Sequence, residues 1–177
     1  MIQKKVCMVG CFAVGKTSLV SRFANGVFSE KYLTTLGVKI DRKQLQLDGR
    51  DVTLILWDLA GEDEFMRVRA SYLRGSAAYI LVIDGTRKST LEGAIELQQR
   101  ISREVGDIPF IIVLNKSDMS AEWDLDANDL KQMTSRGWDA VTASARTGEG
   151  VQQAFELVAR RALGKDSEAN ATRGARD

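Results

Sequence analysis

The sequence predicts an α/β fold, a mostly parallel sheet with helices on both faces. Short apolar runs rich in Val, Ile and Leu alternate with stretches of helical periodicity. A glycine-bounded loop joins the first apolar run to the first helical stretch. Asp48-Gly49 lies between two further apolar runs and predicts a hairpin.

Strands are expected at 5–9, 38–47, 52–57, 78–83, 110–114 and 140–142. The short all-apolar ones suit strands covered on both faces. Leu91, Ala94, Ile95, Ile101 and Val105 recur at helical spacing, with polar Gln98 as one interruption. Val151, Ala154, Phe155, Val158 and Ala162 do the same near the end.

The 177 residues suit one domain with a substantial core. They are 44% hydrophobic and 28% charged, and 25 basic against 24 acidic side chains leave a net charge of +1. That balance argues against a nucleic-acid partner or a bulk membrane footprint. No apolar stretch approaches the roughly 20 residues that span a bilayer. Met1-Ile2-Gln3-Lys4-Lys5 runs into a strand rather than a signal peptide. Cys7 and Cys11 read as small buried or loop residues of a reducing compartment. These features predict a soluble, cytoplasmic domain over 1–164 and a polar, disordered tail over 165–177. Asn170-Ala171-Thr172 matches a glycosylation acceptor, set aside because no secretory signal accompanies it.

Gly10-Cys11-Phe12-Ala13-Val14-Gly15-Lys16-Thr17 fits G-x-x-x-x-G-K-[ST] between a strand and a helix that opens with Ser18 and Leu19. Glycines let successive backbone N–H groups face one anion, and the helix N-terminus adds its dipole. Lys16 supplies positive charge for β- and γ-phosphates, and the Thr17 hydroxyl is a hard ligand for Mg²⁺. This loop alone does not distinguish ATP from GTP.

Asn115-Lys116-Ser117-Asp118 follows the most apolar strand, at the end where ligands gather in open parallel sheets. The Asp118 carboxylate can accept two parallel bonds from N1–H and N2–H₂ of guanine, a pair that adenine lacks. Asp58-Leu59-Ala60-Gly61 ends another apolar strand. Asp58 there can reach Mg²⁺ directly or through water, and the Gly61 N–H can approach a terminal phosphate.

With these motifs in this order the sequence resembles the Ras superfamily of small GTPases over about residues 4–163, and the Rab family most of all. Thr34-Thr35-Leu36-Gly37-Val38, Trp57-Asp58-Leu59-Ala60-Gly61, Ser71-Tyr72-Leu73-Arg74-Gly75 and Thr142-Ala143-Ser144-Ala145-Arg146 complete the match. The resemblance implies a P-loop NTPase fold with a six-stranded, mostly parallel sheet and about five helices. It implies a GTP/GDP switch with Mg²⁺, acting through effector, exchange and activating proteins.

The resemblance also implies individual roles. Gly10, Ala13, Val14, Gly15, Lys16, Thr17 and Ser18 would hold the phosphates, and Thr17, Thr35 and Asp58 the metal. Thr35 would also contact the γ-phosphate when GTP is bound, and Lys16 and Thr35 would assist hydrolysis. Phe28 would pack against guanine, and the Ala145 N–H would meet its 6-oxo group, with Ser144 and Arg146 shaping that loop. Residues 26–38 and 59–75 match switches I and II. Trp57, Tyr72 and Ile40 occupy the positions of an effector-facing triad, with Ile40 in place of phenylalanine. From the residues alone, all three could equally be packing.

Three departures bear on the expected activity. Glu62 stands where the family has a water-orienting glutamine, and an ionised carboxylate accepts hydrogen bonds without donating. Phe12 replaces a small residue where a phenyl ring would crowd the γ-phosphate and any incoming arginine. Both predict slow hydrolysis with catalytic Glu62, or a nucleotide-binding scaffold with negligible turnover. The third is a C-terminus, Arg173-Gly174-Ala175-Arg176-Asp177, with no cysteine for prenylation. Met1-Ile2 does not suit N-myristoylation either, so no stable lipid anchor is expected if these ends are native.

Overall fold

The computed structural model describes the backbone of residues 2–31, 34–61 and 70–174, and their side chains except those of Ala70 and residues 165–174. The chain runs through β1 (Ile2–Gly10), α1 (Lys16–Asn25), β2 (Val38–Leu47), β3 (Arg50–Leu59) and β4 (Ala78–Asp84). It continues through α2 (Ser89–Val105), β5 (Phe110–Asn115), α3 (Ala127–Ser135), β6 (Ala140–Thr142) and α4 (Val151–Gly174).

The six strands form one sheet in the order β2-β3-β1-β4-β5-β6. Only the β2–β3 pairing is antiparallel. Every expected strand is present, several running one to three residues further than the apolar pattern marked. Asp48 and Gly49 adopt φ of 50° and 75°, the paired left-handed conformation of a tight hairpin turn. They set Leu47 opposite Arg50 and thereby fix the hairpin register.

Alternation along β1 divides the core into two layers. Val6 and Met8 join the layer under α1 and α4, with Leu19, Leu54 and Val158. There the Phe23 and Phe155 rings stack with centroids 4.0 Å apart. Cys7 and Val9 join the opposite layer, where Leu91, Ala94, Leu97, Ile101 and Met133 of α2 and α3 cover Leu81, Ile83 and Ile112. The polar interruption at Gln98 has a structural reason, because its side chain hydrogen-bonds the hydroxyl of buried Tyr79. Burial pushes that phenol's pKa well up.

Four α-helices occur among the described residues, against about five expected, and residues 62–69 lie outside the description. The backbone of α4 is helical to Gly174, where the sequence suggested an irregular tail from residue 165. Lys165, Glu168, Ala169, Ala171 and Arg173 are good helix formers extending a helix that packing has already nucleated.

Candidate functional site

The loops leaving β1, β3 and β5 open on the same edge of the sheet, and the expected site residues collect there. The first cluster is the loop from Gly10 to Thr17. Val14 is wholly buried and anchors it. Ala13 and Gly15 take φ of 61° and 99°, a left-handed geometry that turns neighbouring N–H groups inward. The N-cap of α1 is Gly15, which has no side chain to cap the first turn. Lys16 is 5% exposed and folds back to donate to the Gly10 and Cys11 carbonyls at 3.1 and 2.9 Å. Gly61 comes so close that an added Cβ would lie 2.6 Å from Phe12 Cα and 3.0 Å from Lys16 Nζ. Ser18 follows Thr17 on α1 and is half-buried.

The second cluster joins α1, the segment before β2 and the end of β3. Thr17 Oγ1 donates to Asp58 Oδ2 at 2.5 Å and shares a 2.6 Å hydrogen bond with Thr35 Oγ1. Asp58 is wholly buried, and its Oδ1 has no hydrogen-bond partner among the described residues. Burial pushes its carboxyl pKa up, opposed by the Thr17 bond and the Lys16 charge. Two hydroxyls and an orphaned carboxylate oxygen are hard donors that fit Mg²⁺.

The third cluster brings β5 against the loop after β6. Asn115 donates to the Val14 carbonyl at 2.9 Å and accepts from the Ala145 N–H at 3.1 Å. It thereby ties this cluster to the phosphate loop. Lys116 takes φ of 72°, a strained geometry of the kind held at functional sites. Buried Ser144 donates to Asp118 Oδ1 at 2.6 Å, which fixes the carboxylate's orientation. Arg146 is exposed and pairs with Glu30 at 3.5 Å, and Phe28 packs half-buried against the α1–α4 layer. Glu62 lies outside the described residues.

On the outer surface Ile40 pairs with Trp57 across β2 and β3. Ile40 is 51% and Tyr72 40% exposed, so neither is a core residue, while Trp57 is half-buried beneath the Lys5 ammonium at 4.0 Å.

Sequence inspection missed three residues. Asp84 ends β4 wholly buried and accepts from Lys116 Nζ at 2.6 Å, Arg87 Nε at 2.9 Å and the Thr86 hydroxyl at 2.7 Å. Burial would raise its carboxyl pKa, but these bonds together hold it below the ordinary value. Arg87 Nη2 also donates to the Phe12 carbonyl at 2.8 Å. An acid at the end of an all-apolar strand was the available signal, the same one that marked Asp58. The third, Arg22, donates from Nε to the Ala145 carbonyl at 2.8 Å, from Nη1 to Gly26 at 3.2 Å, and from Nη2 to Arg146. A basic residue in a helix's last turn is ordinary and gave no signal.

A model of the Ras family matches residues 5–164 of the chain. Ras-related protein Rab-1A of Dictyostelium discoideum is 34% identical over 157 residues, which cover 88% of this chain and 78% of that protein. A phosphate loop, a hydroxyl–carboxylate cluster and a base-loop cluster on one sheet edge accord with both findings: the chain belongs to the Ras family of small GTPases.

Proposed function

We propose that this GTPase divides the work of binding and hydrolysis among the three clusters, with an unusually slow off-step. The loop from Gly10 to Ser18 holds the phosphates, and Lys16 exchanges its two carbonyl acceptors for β- and γ-phosphate oxygens. Thr17, Thr35 and Asp58 hold Mg²⁺, which when bound neutralises charge on the phosphate oxygens. The observation carrying this assignment is the orphaned Asp58 Oδ1 beside two hydroxyls. Asn115, Lys116, Asp118, Ser144, Ala145 and Arg146 surround guanine, with Phe28 beside it. Asp118 reads the N1–H and N2–H₂ edge, and Ser144 keeps it oriented.

Thr35 and the Gly61 N–H sense the γ-phosphate, so GTP and GDP favour different arrangements of switches I and II. Trp57, Tyr72 and Ile40 offer the apolar surface on which an effector reads that difference. Gly61 lies close against the backbone of Phe12. The phenyl ring of Phe12 and the carboxylate of Glu62, standing in place of a small residue and a glutamine, slow hydrolysis and hinder a conventional activating arginine.

Nucleotide released from denatured protein should be guanine-based, and ATP recovery would overturn the base assignment. Single-turnover phosphate release from the GTP·Mg²⁺ complex tests the off-step. A basal rate well above that of ordinary small GTPases would refute it, and no release at all would favour the scaffold role.

A further inference from the structure

We infer that Arg22 is a positioning residue for base recognition, fixing the backbone at Ala145 so that its N–H is presented to the 6-oxo group of guanine. This rests on the base-site assignment above. Three donors of one planar guanidinium reach carbonyls from two separate segments, Gly26 after α1 and Ala145 with Arg146 in the loop after β6. Arg22 holds the Ala145 carbonyl, and the Ala145 N–H, which donates to Asn115 Oδ1 in this structure, exchanges that acceptor for the 6-oxo group when the base is bound. The carbonyl bond anchors the residue whose amide must turn to the base.

A plainer account makes Arg22 a helix C-terminal tether, since basic side chains often bond the last carbonyls of a helix. That account covers the bond to Gly26, four residues on. It leaves unexplained the two bonds to a loop more than 120 residues away in sequence. Geometry also selects the residue type. The rigid fork of arginine serves several acceptors at once, whereas a lysine ammonium places all its donors on one atom. α1 is 10 residues long, with Lys16 and Thr17 at its start and Arg22 in its last turn. One helix therefore serves the phosphate end of the site and the base loop together.

The test is equilibrium binding of GDP, inosine diphosphate and 2-aminopurine riboside diphosphate to the full chain with Mg²⁺. The first two carry the 6-oxo group and the third lacks it. Wild type should bind GDP tighter than the 2-aminopurine nucleotide. Arg22→Ala should weaken GDP and inosine diphosphate by about 5- to 20-fold, the worth of one aligned hydrogen bond, and the 2-aminopurine nucleotide by less than about 2-fold. Arg22→Lys keeps the charge but not the fork, and should lose the same selectivity. It carries the test if the alanine variant does not fold.

Equal losses for all three nucleotides, or none, would overturn the inference, because Arg22 would then serve the fold alone. A wild-type protein with no preference for GDP over the 2-aminopurine nucleotide would overturn the base assignment and this inference with it. That failure is read on wild type alone, so the two are distinguishable.

Discussion

Gly15 sits where the loop from Gly10 to Thr17, α1 and the end of β5 meet, and replacing it with alanine puts a definite strain on all three. An added Cβ would lie 2.2 Å from Asn115 Nδ2, a distance no side-chain contact tolerates. The backbone there has φ of 99°, which costs an L-residue roughly 1–2 kcal/mol. Asn115 must swing away and give up its bonds to the Val14 carbonyl and the Ala145 N–H. Each is worth about 1 kcal/mol, so restoring the binding geometry should cost roughly 3–4 kcal/mol in all. That corresponds to a loss of GDP affinity of about two to three orders of magnitude. Titrating Gly15→Ala with a fluorescent GDP analogue measures it, with circular dichroism confirming the fold. A loss below about fivefold would show that Asn115 does not couple the phosphate and base loops.

Other perturbations have expected outcomes of their own. Phe12→Gly and Glu62→Gln should each raise the single-turnover phosphate-release rate, and the larger increase identifies which side chain limits hydrolysis; no increase from either would place the slow step elsewhere. Chelating Mg²⁺ should speed GDP release, because Thr17, Thr35 and Asp58 then have no metal through which to hold the phosphates; an unchanged rate in a stopped-flow release assay would remove them as metal ligands. Phe155→Ala removes a ring stacked at 4.0 Å on Phe23 and should cost about 3–5 kcal/mol by urea unfolding, less if the layer collapses to fill the space. Asp84→Asn should destabilise the fold at neutral pH. The Asp84 pKa is lowered in the folded state, so its contribution is present above the unfolded value near 4 and is lost as pH falls through the folded value. The wild-type advantage in unfolding midpoint should therefore shrink below about pH 4, and a constant gap would contradict the sign of that shift.

The middle of the sheet was legible because β4 and β5 are short apolar runs, and β4 is buried at every position from Ala78 to Asp84. Asp48-Gly49 gave the one antiparallel pairing because only certain residues accept two consecutive left-handed conformations. The phosphate loop was readable since its chemistry is contiguous in sequence. Arg22 was not, because its function lies in carbonyls of distant segments, and a backbone acceptor leaves no mark on sequence. Gln98 looked like a fault in a helical stripe until its partner, the Tyr79 hydroxyl, was known. The extent of α4 was obscured because polar helix formers look the same in a helix and in a solvated tail.

The pairing of Asp84 with Asn115 closes the β4–β5 ladder. From that last rung, Asp84 governs Phe12 through Arg87 and Lys116 directly, while Asn115 governs Val14 and Ala145. The recognition loops are therefore outgrowths of a common rung and not independent modules. Transplanting either loop onto another sheet would carry its motif without its anchor. A graft of either loop needs both strand ends, with Arg87, to keep these anchoring bonds.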